Sequence, residues 1–123
     1  AALVPGTLNS GVEWLKRHQA GEILKLNNAQ LDPKKQPWKN RATDLDALVF
    51  STLARDVGEW SDEMADFLYR DRTHLSVYGK VLFALTLVDD LTDERLTMLK
   101  RNIEQFVVEA LLTHWVSLNP LYR

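Results

Sequence analysis

The stretch Leu75–Val88, LSVYGKVLFALTLV, is the most apolar run in the chain and sets the terms for the rest of it. Only Ser76, Gly79, Lys80 and Thr86 interrupt it. Leu75, Tyr78, Val81, Leu82 and Leu85 recur at helical spacing, while Val77, Phe83, Ala84, Leu87 and Val88 fill most of the remaining circumference. A helix that is apolar nearly all round has to be covered on more than one side. The run is too short to cross a bilayer, which takes about 20 apolar residues. The sequence therefore predicts a core helix around which the other segments pack. Gly79 in its interior costs about 1 kcal/mol relative to Ala, so it is expected where another backbone comes close.

The 123 residues suit a single domain, 1–123, and 46% hydrophobic with 26% charged is the balance of a packed chain rather than a disordered one. With no Cys there is no disulfide framework, thiolate metal site or cysteine nucleophile. A formal charge of -2 and a pI near 5.9 offer no long-range attraction for nucleic acid or anionic lipid, so neither is expected as a partner. The opening AALVPGTLNS has neither a basic start nor a long apolar stretch, so no signal peptide is read from it. Localisation stays open.

Taken in order, Pro5-Gly6 reads as a turn, and Ser10 with Glu13 three positions on as a capping box opening the first helix. Its apolar face runs Val12, Leu15, Ile23 and Leu26, with Trp14 and Leu24 beside it, until Asp32-Pro33 stops it. The polar stretch to Ala42 contains Pro33 and Pro37 and is expected to be an ordered loop pinned by Trp38. Thr43 or Asp44 opens the second helix, with Leu45, Leu48, Val49 and Leu53 on its main face and Gly58 as its stop. Ser61 caps a short third helix with Met64, Phe67 and Leu68 inward, and Arg70-Asp71-Arg72 ends it. Thr73 is expected to cap the central helix. Thr92, with Asp93 and Glu94, opens the last and longest.

In that last helix Leu96, Leu99, Ile103, Phe106, Ala110 and Leu111 carry the apolar pattern, which continues through Trp115 to Leu118 before Asn119-Pro120. Phe106-Val107-Val108 is its one β-branched patch. The prediction is an all-α fold of about five helices joined by short connections, with neighbours antiparallel, in an α/α-hairpin arrangement, either a partial toroid or a bundle.

Several segments resemble a known family. VEWLKRHQ, RATDLDALVF, DEMADFLYRDRTHLSVYGKVLFALTL and LTMLKRNIEQFVV are similar to the thioester-bearing helical domain of bacterial alpha-2-macroglobulin-like proteins, over roughly Val12 to Val108. The resemblance implies an α/α toroid of helical hairpins, from proteins that trap proteases covalently through an internal thioester. That reactive element is Cys-Gly-Glu-Gln, and this chain has no Cys, so no catalytic residue is carried over. The family's ring is also far longer than 123 residues. An incomplete ring leaves apolar faces to be covered. Beyond NIEQFVV the sequence continues EALLTHWVSLNPLYR in helical register, a tail expected to supply that cover. Such a departure fits either a diverged relative or an engineered chain given a new end.

Few residues point to chemistry. Asp89-Asp90-Leu91-Thr92-Asp93 matches the DDxxD pattern with which prenyl-diphosphate enzymes hold magnesium, because clustered carboxylates are hard oxygen ligands. No second acidic motif completes such a site, and acids in a first helical turn also serve the helix dipole. His18, His74 and His114 are not spaced as a zinc pair. Lys34, Lys35, Lys39 and Arg41 around Trp38 form a small basic loop, and Arg70, Asp71 and Arg72 a second charged cluster; for both, the structural reading is preferred to anion binding. Leu111, Leu112, Trp115, Val116, Leu118 and Tyr122 provide more apolar surface than one helix face needs, and are the candidate interface for a protein partner or a second copy. The expectation is a non-catalytic scaffold or interaction domain with no cofactor, no metal, no nucleic acid and no membrane. The enzyme alternative is a magnesium-diphosphate site at Asp89, Asp90 and Asp93.

Overall fold

The computed structural model describes residues 5–35, 38–119 and 121. Five helices follow in order: α1 (Pro5–Leu31), α2 (Asp44–Thr52), α3 (Asp62–Arg70), α4 (Val77–Thr86) and α5 (Glu94–Leu118). A π-helical turn, Leu53–Val57, prolongs α2, and a 3₁₀ turn, Arg72–His74, joins α3 to α4. Among the described residues there is no strand, so the fold is all-α. Phe106, Val107 and Val108 are helical, their β propensity overridden by the helix on either side.

The local chemistry explains the boundaries. Pro5 begins α1 rather than preceding it in a turn, as Pro can in a first turn where its missing N–H costs nothing. The expected capping box at Ser10 is consequently absent, and the Ser10 hydroxyl instead donates to the Gly6 carbonyl at 2.9 Å. Thr43 does form a box with Asp46, each side chain meeting the other's backbone N–H. Gly58 ends the π turn at φ 80°, the left-handed conformation that favours glycine. Ser61 caps α3 as expected. Two caps differ from expectation. Ser76, not Thr73, caps α4 by accepting the Gly79 N–H at 3.2 Å, because the 3₁₀ turn takes up residues 72–74. Asp93, not Thr92, caps α5, accepting the Arg95 N–H at 2.9 Å.

The core joins Leu26 of α1, Ala47 and Phe50 of α2, Met64, Ala65, Phe67 and Leu68 of α3, Leu75, Phe83, Ala84 and Leu87 around α4, and Leu96 and Leu99 of α5. Phe50 sits edge-on to Phe83 at 5.8 Å and to Trp60 at 5.0 Å, an arrangement favoured by ring quadrupoles. The α2–α4 contact is the most extensive in the fold, and these two helices run parallel. Asp44 at the start of α2 accepts the Ser76 N–H at the start of α4, while Phe50 meets Phe83 further along both. Gly79 makes this possible, since a Cβ there would collide with the Asp44 carboxylate; the close neighbour is a side chain and not the expected backbone. Consecutive α4 and α5 are antiparallel: Lys80 faces Phe106, while Leu87, Leu96 and Leu99 close the opposite end.

Two expectations about burial require correction. Leu75–Val88 is not covered all round: Gly79, Lys80, Phe83, Ala84 and Leu87 face inward, but Tyr78, Val81, Leu85 and Val88 are exposed. The helix also stops at Thr86, and only α2 and α5 flank it extensively, too few neighbours to enclose the whole circumference. Trp38 does not pin the loop before α2, being 73% exposed. Its neighbour Lys39 does so instead. The buried Lys39 ammonium pairs with Asp46 of α2 and, at 3.1 Å, with Glu22 of α1, so one cation ties the loop to both helices. Pro37 lies outside the described residues.

Candidate interaction helix and the polar clusters

The proximal half of α5 packs and the distal half does not. Leu96 and Leu99 are buried and Met98, Asn102 and Ile103 half-buried, whereas every residue from Glu104 to Leu118 is exposed. The tail expected to cover open helix faces therefore projects away from the body. Its sequence explains why. One line along the helix, at steps of three and four, reads Leu96, Leu99, Ile103, Phe106, Ala110, Thr113, Ser117; it starts apolar and ends small and polar. A second line reads Thr97, Arg101, Glu104, Val108, Leu111, Trp115, Leu118; it starts polar and ends apolar. Positions at such steps share a helix face, so the apolar stripe changes face near residue 107.

Of the candidate interface residues, Leu111, Leu112, Trp115 and Leu118 are at least half exposed and Val116 is just over a third exposed. Tyr122 lies outside the described residues. The fold adds Val107 and Val108, the β-branched patch, to the same surface. The apolar positions fall on two separate lines, and steps of three and four alone do not distinguish them. Val108, Leu111, Trp115 and Leu118 have the 3-4-3 spacing of a coiled-coil seam. Glu109 is the only formally charged residue between Gln105 and Leu118. The exposed stripe along α4 and the turn after it, Tyr78, Val81, Leu85 and Val88, repeats the same spacing.

The fold does not gather the acidic candidates into one site. Asp90 Oδ1 accepts the Thr92 N–H at 3.0 Å and its hydroxyl at 2.6 Å, closing the turn between α4 and α5. Asp93 caps α5 and holds the Arg95 guanidinium at 2.9 Å, a hydrogen bond that keeps its carboxyl below the usual range. Asp89 is exposed. Among the described residues no group of three or more His, Cys, Asp or Glu side chains is placed to share a metal ion. Also among them, no helix is long and apolar enough to cross a membrane.

The other charged clusters hold helices together. Buried Asp71 accepts the Ala42 N–H at 2.8 Å and both arms of Arg70, and Arg70 in turn donates to the Asn40 carbonyl at 3.1 Å, fastening the loop to the end of α3. Arg41 lies 2.8 Å from His74 Nδ1, and Arg72 stacks over Tyr69. Lys34 and Lys35 are exposed, apart from the buried Lys39. His18 stacks on Trp14 within α1. Burial pushes the Glu22 carboxyl up, but its hydrogen bonds from Lys25 and Lys39 outweigh that and leave it lowered.

Comparison with protein-family models, with curated proteins and with solved structures finds no match to this chain.

Proposed function

We propose that the chain is a non-catalytic helical scaffold that assembles through the distal half of α5, pairing with the same helix of a second copy. The change of face in α5 carries this reading. A helix of about 14 residues is marginal in water by its own propensity, so an apolar seam turned away from its own core calls for a covering surface elsewhere. A two-fold antiparallel pair would set Val108 opposite Leu118 and Leu111 opposite Trp115, so the seam is complementary to itself. The near absence of charge along it removes the like-charge repulsion that would oppose pairing.

The resemblance to a segment of an alpha-2-macroglobulin-like toroid belongs to the same reading: a ring cut short presents helix faces that the next hairpins would otherwise cover. The face change falls where that resemblance ends, at Val108, which also favours a chimeric or engineered origin for the last segment. Neither origin requires a reaction. The polar groups that the fold brings together, at Lys39, Asp46 and Glu22 and at Asp71 and Arg70, are engaged with one another and with backbone.

Light scattering across a concentration series tests the proposal. The expected result is a species of twice the 14.1 kDa chain mass whose melting temperature rises with concentration. Leu111→Glu combined with Trp115→Glu should return it to a monomer. A monomer at every concentration, melting at one temperature, would overturn self-pairing.

A further inference from the structure

Between the start of α4 and the middle of α5 lies an open cleft of about 250 Å³, lined by Thr73, Lys80, Asn102, Gln105, Phe106 and Glu109. Lys80 is the unusual member. It is 6% exposed, and among the described residues its ammonium makes a single hydrogen bond, to the Leu75 carbonyl at 3.0 Å. Among the described residues no carboxylate lies within ion-pair distance of it, unlike the buried Lys39, which has two. The Phe106 ring, 5.9 Å away, supplies only a weak electrostatic contact. A buried charge without a counter-ion is costly, and its unused donors favour an anion. Asn102 adds an independent sign. Its Oδ1 is buried with no hydrogen-bond partner among the described residues, and its carboxamide NH₂ is a second donor among the residues that line the cleft.

We propose that this cleft binds a small monocarboxylate, with the Lys80 ammonium and the Asn102 carboxamide as its partners. The charge balance selects this class. One buried cation neutralises one carboxylate, whereas a phosphate dianion would keep an unpaired charge facing Glu109 on the cleft wall. Glu109 already accepts from Gln105 at 3.3 Å and remains available to a cationic group on the ligand, so an α-amino acid fits better than a simple acid. The site is independent of the proposed pairing, because Lys80, Asn102 and Phe106 face the body and not the seam.

Nitrogen-edited NMR of the full chain tests it, reading the Lys80 ammonium and the Asn102 side-chain amide. The probes are sodium acetate, L-phenylalanine, a blocked peptide with one Glu, sodium phosphate and, as control, sodium chloride. Saturating shifts are expected with acetate and, at lower concentration, with phenylalanine, and Lys80→Met should weaken both at least tenfold. Saturation by the Glu peptide and not by acetate would assign the same carboxylate chemistry to a protein partner. Glu109→Gln should reduce the advantage of phenylalanine over acetate and leave acetate binding intact. Should Lys80→Met not fold, Asn102→Leu carries the comparison. No saturation by any carboxylate, tighter binding of phosphate, or a Lys80 signal that moves with Glu109→Gln but not with acetate would each overturn the assignment.

Discussion

The two halves of α5 are one uninterrupted helix with opposite relations to the rest of the molecule. Up to Ile103 its apolar residues face α4 and the core; from Val107 the apolar residues lie along a different line and every residue is exposed. Both halves satisfy the same test of helical periodicity. The difference teaches that spacing establishes a helix, while the azimuth of the stripe decides what the helix can touch.

The sharpest way to break this contrast is to truncate one residue in each half. Leu99, fully buried, should lose about 2–5 kcal/mol as Leu99→Ala, since the lost transfer energy adds to an unfilled cavity. Leu111→Ala, at 64% exposure, should change the stability of the dilute monomer by no more than about 0.5 kcal/mol. Denaturant melts at low protein concentration check both. Similar losses at the two positions would mean that the distal half packs on the body after all.

A second contrast sets the two buried lysines against each other. Asp46→Ala strips Lys39 of its closest counter-ion and removes the capping box of α2, so a loss of about 3–5 kcal/mol is expected, in the range for breaking a buried pair. Lys80→Met should be neutral or stabilising in the absence of ligand, because Lys80 has no carboxylate to abandon. Thermal melts of the two variants side by side decide it, and a marked loss in Lys80→Met would mean that an unseen partner group is held there.

These pairs also show what was legible in the sequence. The all-α class, the order of five helices and the caps at Ser61 and Thr43 depend on neighbours within a few residues, whereas the crowding at Gly79 comes from the Asp44 side chain, a neighbour distant in sequence, and not from a backbone. The pinning of the loop was misplaced by one residue, from Lys39 to Trp38, because hydrophobicity favours the indole, while two carboxylates from α1 and α2 converge only once the chain is folded. The coverage of Leu75–Val88 was overestimated for a similar reason: an apolar sequence states a demand for neighbours, and the number of neighbours is set by topology. The Lys80 cleft was invisible because Lys80, Asn102 and Glu109 meet only across the α4–α5 hairpin.

Gly79→Ala should cost about 1–3 kcal/mol despite the better helix propensity of Ala, since the methyl group meets the Asp44 carboxylate that receives the Ser76 N–H. Gly21→Ala on α1, where an added Cβ has open space, should instead gain about 0.5–1 kcal/mol. Opposite signs at the two glycines would confirm that the α2–α4 contact, and not propensity, governs the first.

Acid should act on the packed end. The carboxyls of Glu22 and Asp93 are lowered in the folded chain, so the unfolded chain binds protons first as pH falls. Their contribution is complete above the ordinary carboxylate range, about pH 4, and is lost as pH drops through the folded values below it. Glu22→Gln should flatten that acid limb of the stability curve by a fraction of its height, as read from denaturant melts across pH. The smallest effect is expected from removing the distal half altogether. A chain ending at Gln105 loses the seam but no buried residue, so its midpoint should match that of the dilute full chain to about 0.5 kcal/mol. What the truncation should abolish is the concentration dependence of that midpoint. Hydrogen exchange gives the same comparison within one molecule: amides of Leu96–Ile103 should exchange only through global unfolding, and those of Val108–Leu118 through local opening until a second copy covers them.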